Sequence, residues 1–253
     1  MNYFVSCLYG QYGKYLSIIK DLNLKEKDRL WILGDVIDGN EENPGENILL
    51  LDAIEKNPKV RLIAGDHEYV RLMQELSDEK DKKKWDQKEA AFAVSGKAFD
   101  EYIKGSMTEE QRSHYFLQFL SGIKASESVR IGNKYIYMVH GAPAKYSYDQ
   151  KEWERKVCFG FPDLNKDYGG LVMGDPQIGG GLLGERITHK RGLVVLCGQL
   201  PPERAALMAG QSLLEKGAFY HNGVLAIGRD AVTDPTYVIG IDELGFFIKG
   251  KYD

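Results

Sequence analysis

The chain has 253 residues, 43% of them hydrophobic, with 33 basic and 37 acidic side chains and a formal charge of −4. That length buries a full core as one large α/β domain, and the slight acidity excludes the broad positive surface a nucleic-acid partner needs. Three widely spaced cysteines, Cys7, Cys158 and Cys197, support neither a disulfide framework nor a CxxC metal site, so a reducing cytoplasm is the expected compartment.

Residues 3–6 form a short apolar strand. Residues 1–10 carry no basic leader and no sufficient apolar run for a signal peptide, and no run of membrane-spanning length occurs, so a soluble protein without a membrane partner is expected. A helix follows from about 14 to 22, with Tyr15, Ile18, Ile19 and Leu22 on one face. The β-loop-α pattern recurs with a strand at 30–33 and a helix at 47–55, and again with a strand at 60–64 and a helix at 68–76. Three such units predict a parallel sheet flanked by helices, with ligands gathered beyond the carboxyl ends of the strands.

A mainly helical insertion is expected at about 75–124, its charged run at 78–84 forming a solvated face and Phe92, Val94, Phe99 and Tyr102 its apolar period. A hairpin at 129–139, turning at Gly132-Asn133, delivers His140 at a strand end. The strand at 193–197 delivers Gln199. Apolar runs at 219–227, 236–241 and 246–249 then predict a second, mixed or antiparallel sheet packed on the first, all within a single domain spanning 1–253.

The segments at these strand ends are Cys7-Leu8-Tyr9-Gly10, Gly34-Asp35-Val36-Ile37-Asp38, Gly65-Asp66-His67-Glu68, His140-Gly141 and Gly198-Gln199-Leu200-Pro201. Two-metal hydrolysis of a phosphate ester needs a bridging carboxylate, His, Asp or Asn ligands and a positioned water. In this order the segments resemble the calcineurin-like metallophosphoesterases, and within them the serine/threonine protein phosphatase branch of bacteria and phages. That family's pattern is DxHG, GDxxDRG, GNHE, HGG or HxG, and GHxP.

The resemblance implies a four-layer α/β/β/α sandwich, with two mixed sheets flanked by helices. It also implies roles: Asp35 as bridging carboxylate, Asp66 (where the family has Asn) and His140 as ligands of the second metal, and His67 as general acid oriented by Asp38. Against the pattern, Cys7 and Tyr9 replace the Asp and His of the first metal. Gln199 replaces the last His of the second, an amide oxygen being a poor donor to a transition metal. Gly39 stands where the family's phosphate-clamping Arg would be.

One divalent ion, Mn, Zn or Fe, is therefore expected on Asp35, Asp66 and His140, completed by Gln199 or water, and a two-metal centre is not. A Cys7 thiolate and Tyr9 phenolate binding a softer or trivalent ion is the alternative to Cys7 as a packing residue. Two functions follow. One is a catalytically impaired pseudophosphatase that keeps the pocket for binding or regulation, with the protein partner unspecified. The other is an active one-ion phosphoesterase acting on a phosphate monoester, a nucleotide or a phosphoprotein. Asp35, Asp38 and His67 also admit a purely structural reading, as an inherited hydrogen-bond network that orders the loops. The GxGxxG of residues 179–184 lacks a βαβ context for a dinucleotide. His114, His189 and His221 read as surface or satisfied histidines, and Arg186 and Arg204 as surface arginines rather than substitutes for the lost clamp.

Overall fold

The computed structural model describes residues 1–76, 97–124, 126–141, 193–198, 218–221, 224–228 and 234–253. The three expected β-loop-α units are β1 (Asn2–Val5) with α1 (Tyr12–Leu22), β2 (Arg29–Leu33) with α2 (Glu46–Lys56), and β3 (Val60–Ile63) with α3 (Asp66–Leu76). Helices α4 (Lys97–Ser106) and α5 (Glu109–Arg112) follow, the latter running on through a π-helical segment, Ser113–Phe119. The charged run at 78–84, together with Phe92 and Val94, lies outside the described residues. Then come β4 (Ser126–Ile131), β5 (Lys134–Val139), β6 (Leu193–Cys197), β7 (Phe219–His221), β8 (Val224–Ala226), β9 (Thr236–Ile241) and β10 (Phe246–Tyr252).

Among the described residues the strands form two five-stranded sheets, ordered β10-β9-β1-β2-β3 and β4-β5-β6-β8-β7. In the first, β1, β2 and β3 are parallel while β9 and β10 are antiparallel additions beside β1. In the second, β5, β6 and β8 are parallel and β4 and β7 close the edges antiparallel. Sequence order suggests that the tail extends the second sheet; instead β9 and β10 return to the first. The tail is two-faced: Val238 joins the helix-side core while Ile239 and Ile241 join the core between the sheets.

Strand alternation explains the layers. Along β1 and β2, Tyr3, Val5, Leu30 and Ile32 face the helices, where they meet Ile18, Leu51, Phe99 and Phe116. The intervening Phe4, Trp31 and Leu33 face the second sheet and pack with Ile136, Met138 and Leu196. Burial on both faces is why β2 is a continuous apolar run and not an alternating one. Among the described residues, then, two mixed sheets pack face to face with helices on the outer face of the first, the arrangement that the sequence resemblance leads one to expect.

Parallel register sets the site. Val5 pairs with Ile32 and Leu33 with Ile63, so the loops after β1, β2 and β3 leave the sheet at one edge. Val139 pairs with Cys197, which sets His140 beside Gly198. The β1 and β2 loops stay laced beyond the strands, through Cys7 N–H to Gly34 O (3.1 Å) and Tyr9 N–H to Asp35 O (2.9 Å).

Candidate metal centre

Cys7, Tyr9, Asp35 and Asp38 all have positive φ, at 56°, 46°, 54° and 70°. Each such non-glycine residue stores about 1–3 kcal/mol and persists only where the surroundings over-determine it. For Asp35 and the β2 loop that follows it, Glu68 in the first turn of α3 does so. Its buried carboxylate accepts from the N–H groups of Gly65 (2.8 Å), Asp35 (2.9 Å), Val36 (2.8 Å) and Ile37 (3.3 Å). One side chain thereby ties the β2 loop to the β3 loop. Burial and the neighbouring Asp35 push its pKa up to about 7, against the pull of His67 and the Gly65 N–H. Asn47 secures the other side: its Oδ1 accepts from Asp38 N–H (2.9 Å) and its Nδ2 donates to Pro44 O (2.8 Å).

At the centre lies His140, fully buried. Its Nδ1 is 2.6 Å from Leu33 O, a carbonyl that can only accept, so Nδ1 carries a proton. Nε2 faces Asp35 Oδ2 at 3.2 Å and Asp66 Oδ1 at 3.3 Å. Those distances suit a hydrogen bond but the directions do not: among the described residues Nε2 has no hydrogen-bond partner, and neither has Asp35 Oδ1. A neutral imidazole would aim its lone pair at two carboxylates, so this position requires a proton or a cation. Burial works against charge on His140, yet Asp35 and Asp66 hold its pKa well above the ordinary value. Burial likewise raises Asp35, reinforced by Asp66, whereas His140 holds Asp66 low although burial opposes it. A histidine whose far nitrogen is fixed by a backbone carbonyl is the usual arrangement of a metal ligand. The donor set therefore fits a cation.

Among the described residues, two sets of three ligand atoms each lie within 4.8 Å of one another: Cys7 with Asp35 and His140, and Asp35 with Asp66 and His67. The Cys7 thiol reaches Asp35 Oδ2 at 3.7 Å and Gly198 O at 3.4 Å, and lies 3.2 Å from Ser6 Oγ. The Tyr9 hydroxyl donates to Asp35 Oδ2 at 3.4 Å. Burial above all, reinforced by Cys7 and Asp35, raises the Tyr9 pKa well above 10, so the phenol stays protonated.

The structure thus brings Cys7, Tyr9, Asp35, Asp38, Asp66, His67 and His140 together, as their strand-end positions predict. Gln199, Arg186, Arg204, His189 and the glycine run at 179–184 lie outside the described residues, as does the His221 side chain. His114 is a surface histidine, 2.9 Å from Glu55.

The match to known families is decisive at this point. The family model described as calcineurin-like phosphoesterase matches residues 3–227. The chain belongs to the calcineurin-like phosphoesterases. No curated protein sequence matches it. A solved structure described as a candidate diadenosine tetraphosphatase is 13% identical, is matched over 100% of this chain and 93% of its own, and has a TM-score of 0.55. A protein serine/threonine phosphatase from Saccharomyces cerevisiae is 14% identical, covering 100% and 79%, with a TM-score of 0.49. A metallophosphoesterase from Sphaerobacter thermophilus is 13% identical, covering 98% and 86%, with a TM-score of 0.49.

In this phosphoesterase-family chain, Tyr9 and Gly39 are in direct contact. A Cβ built on Gly39 would collide with Tyr9 Cβ and stand 2.7 Å from the Tyr9 carbonyl oxygen and 2.8 Å from its Cα. Any larger residue at position 39 must displace the Tyr9 backbone, not only its ring. Gly39→Ala is expected to destabilise by about 1–3 kcal/mol through overpacking, and Gly39→Arg at least as much, read as a fall in the urea midpoint. An unchanged midpoint for Gly39→Ala would mean the two loops are not in this contact.

Sequence reasoning missed Arg71. It lies four residues after His67, on the same face of α3. Its Nη2 donates to Asp38 Oδ1 (2.9 Å) and its Nη1 to Asp100 Oδ1 (2.5 Å), with its guanidinium 5.4 Å from the centre of the Phe99 ring. The other oxygen of Asp38 lies 3.2 Å from His67 Nδ1. Burial lowers the His67 pKa, but Asp35, Asp38 and Asp66 more than offset it and raise it to about 10. The i, i+4 spacing was the one available signal for Arg71; nothing in the sequence pointed to Asp100 as its second partner.

Proposed function

We propose that this phosphoesterase homologue binds one divalent cation, Mn, Zn or Fe, and is catalytically impaired, keeping its pocket for binding or regulation. Asp35, Asp66 and His140 would hold the ion, with Gln199 or water completing the shell. When bound, the ion would neutralise the two carboxylates and polarise a phosphoryl oxygen. The carrying observation is Tyr9: its protonated hydroxyl sits on Asp35, where the family's first metal would draw on that carboxylate, and its backbone fills the space above Gly39. A second ion and an arginine clamp are lost together. Loss of individual charge-stabilising groups costs about 10²–10³ each in rate.

A slow one-ion hydrolase is the second reading, favoured by the intact Asp38–His67 contact at 3.2 Å. His67, protonated at neutral pH, would donate to the leaving oxygen while Asp38 fixes its orientation. Phosphoproteins and small phosphate monoesters are candidate ligands, and the diadenosine tetraphosphatase-like neighbour adds nucleotides. Action in the cytoplasm as one domain fits the three scattered cysteines, and among the described residues no helix is long and apolar enough to cross a membrane.

Calorimetric counting of Mn²⁺ and Zn²⁺ equivalents, run beside aryl-phosphate turnover, tests both readings. One equivalent with turnover at background supports the impaired reading. Metal-dependent turnover abolished by His67→Ala replaces it with the hydrolase.

A further inference from the structure

We infer that Cys7 is a direct thiolate ligand of that single cation, making this a sulfur-containing site selective for thiophilic ions such as zinc over manganese. The inference rests on the one-cation reading above and names a ligand the site gained when an acidic residue was lost. Three observations carry it. The Cys7 sulfur, an Asp35 oxygen and a His140 nitrogen all lie within 4.8 Å of one another. The Cys7 Sγ to Asp35 Oδ2 separation is 3.7 Å and the His140 Nε2 to Asp35 Oδ2 separation is 3.2 Å. A tetrahedral ion with a metal–sulfur bond of about 2.3 Å and metal–oxygen or metal–nitrogen bonds of about 2.0–2.1 Å spaces its ligands at about 3.5 Å (S to O) and about 3.3 Å (N to O). The two separations to Asp35 Oδ2 thus stand close to ligand spacing already, and the sulfur and the His140 nitrogen lie within 4.8 Å of each other.

The third observation is independent of the cysteine. His140 Nε2 is wholly buried, has no hydrogen-bond partner among the described residues, and faces the same Asp35 oxygen that the sulfur approaches. Cys7 is buried and holds a positive φ of 56°, with its N–H donating to Gly34 O.

Binding would exchange the thiol proton for the metal: the S–H bond breaks, the proton leaves to solvent, and a sulfur–metal bond forms with no change of oxidation state. Soft thiolate ligation favours Zn²⁺ and Co²⁺ over Mn²⁺, whereas an all-oxygen and imidazole set discriminates less.

The test is cobalt titration of chelator-treated full-length protein. A sulfur-to-cobalt charge-transfer band in the near ultraviolet is expected at one equivalent. It should be lost in Cys7→Ser and retained in a Cys158→Ser/Cys197→Ser double variant. Zinc affinity should fall at least about 100-fold in Cys7→Ser, beyond what loss of an outer-shell partner produces, with manganese affinity changed less than about tenfold. Because Cys7→Ser could fail to fold, X-ray absorption of the zinc-loaded wild type supplies a variant-free reading, with a sulfur scatterer at about 2.3 Å expected. One equivalent of cobalt or zinc without sulfur in the shell overturns the thiolate ligand and leaves the one-cation reading standing. No binding of either ion overturns both.

Discussion

Replacing Glu68 with alanine is expected to destabilise the fold by about 4 kcal/mol or more, the largest effect of any single substitution at the site. The carboxylate accepts four backbone N–H groups from two loops, and it is buried. Each buried donor left without a partner costs about 1–3 kcal/mol, and water entering the gap recovers only part. The loss also removes the bond that holds Asp35 at positive φ, so the β2 loop relaxes and Asp35 shifts away from Asp66 and His140. Urea denaturation reads the first effect as a lower midpoint at unchanged slope. Calorimetry reads the second as loss of metal binding in conditions where the variant is still folded. A stability loss under about 1 kcal/mol would show that the loops do not depend on this carboxylate.

The second large effect belongs to Arg71. Its guanidinium bridges Asp38 and Asp100 inside the protein, and removing one partner of a buried ion pair costs about 3–5 kcal/mol because a charge is left without compensation. Arg71→Met keeps much of the packing against Phe99 and isolates the electrostatic part. The pH dependence gives a sharper check. Burial acts to raise the Asp38 pKa, but Arg71 and His67 more than offset it and hold it below its ordinary value. A carboxylate lowered on folding contributes stability that is fully present above its unfolded pKa, about 3.9. That stability is lost as pH falls through the lower folded value. In Arg71→Met burial is no longer offset by the guanidinium, so the folded pKa rises and acid unfolding, followed by circular dichroism, begins at a higher pH than in the wild type. An acid transition at the same pH would remove Arg71 from the account.

Much of the scaffold was legible because parallel β-loop-α units leave a local signal: an apolar strand, a glycine-bounded loop and a periodic helix. Strands β1, β2 and β3 are found within a residue or two of where periodicity puts them, and the loops after them carry the recognisable motif residues. Sheet membership of the tail was not legible. The runs that become β9 and β10 have the apolar pattern of a strand, but only tertiary packing decides which sheet edge they join.

The site shows the same division. Asp35, Asp66 and His140 were identified by family motif and meet in space, since a motif reports strand-end position. The exclusion of side chains at Gly39 by the Tyr9 backbone joins loops thirty residues apart, and no pattern in the sequence announces it. Gly39 reads there only as a lost arginine. In the structure it is the position that accommodates Tyr9, so reverting residue 39 alone is expected to disturb the loop instead of repairing the pocket. Glu68 was visible as the last letter of a motif, yet its role as acceptor of four N–H groups depends on the left-handed turns of the β2 loop.

The proposed function places one cation, and only one, where His140 Nε2 meets the carboxylates of Asp35 and Asp66. Calorimetric titration of the chelator-treated protein with zinc or manganese tests it most directly. The expected result is a single equivalent in the wild type and none in His140→Ala, measured where both proteins are folded. Two equivalents in the wild type, or one that survives in His140→Ala, would contradict it.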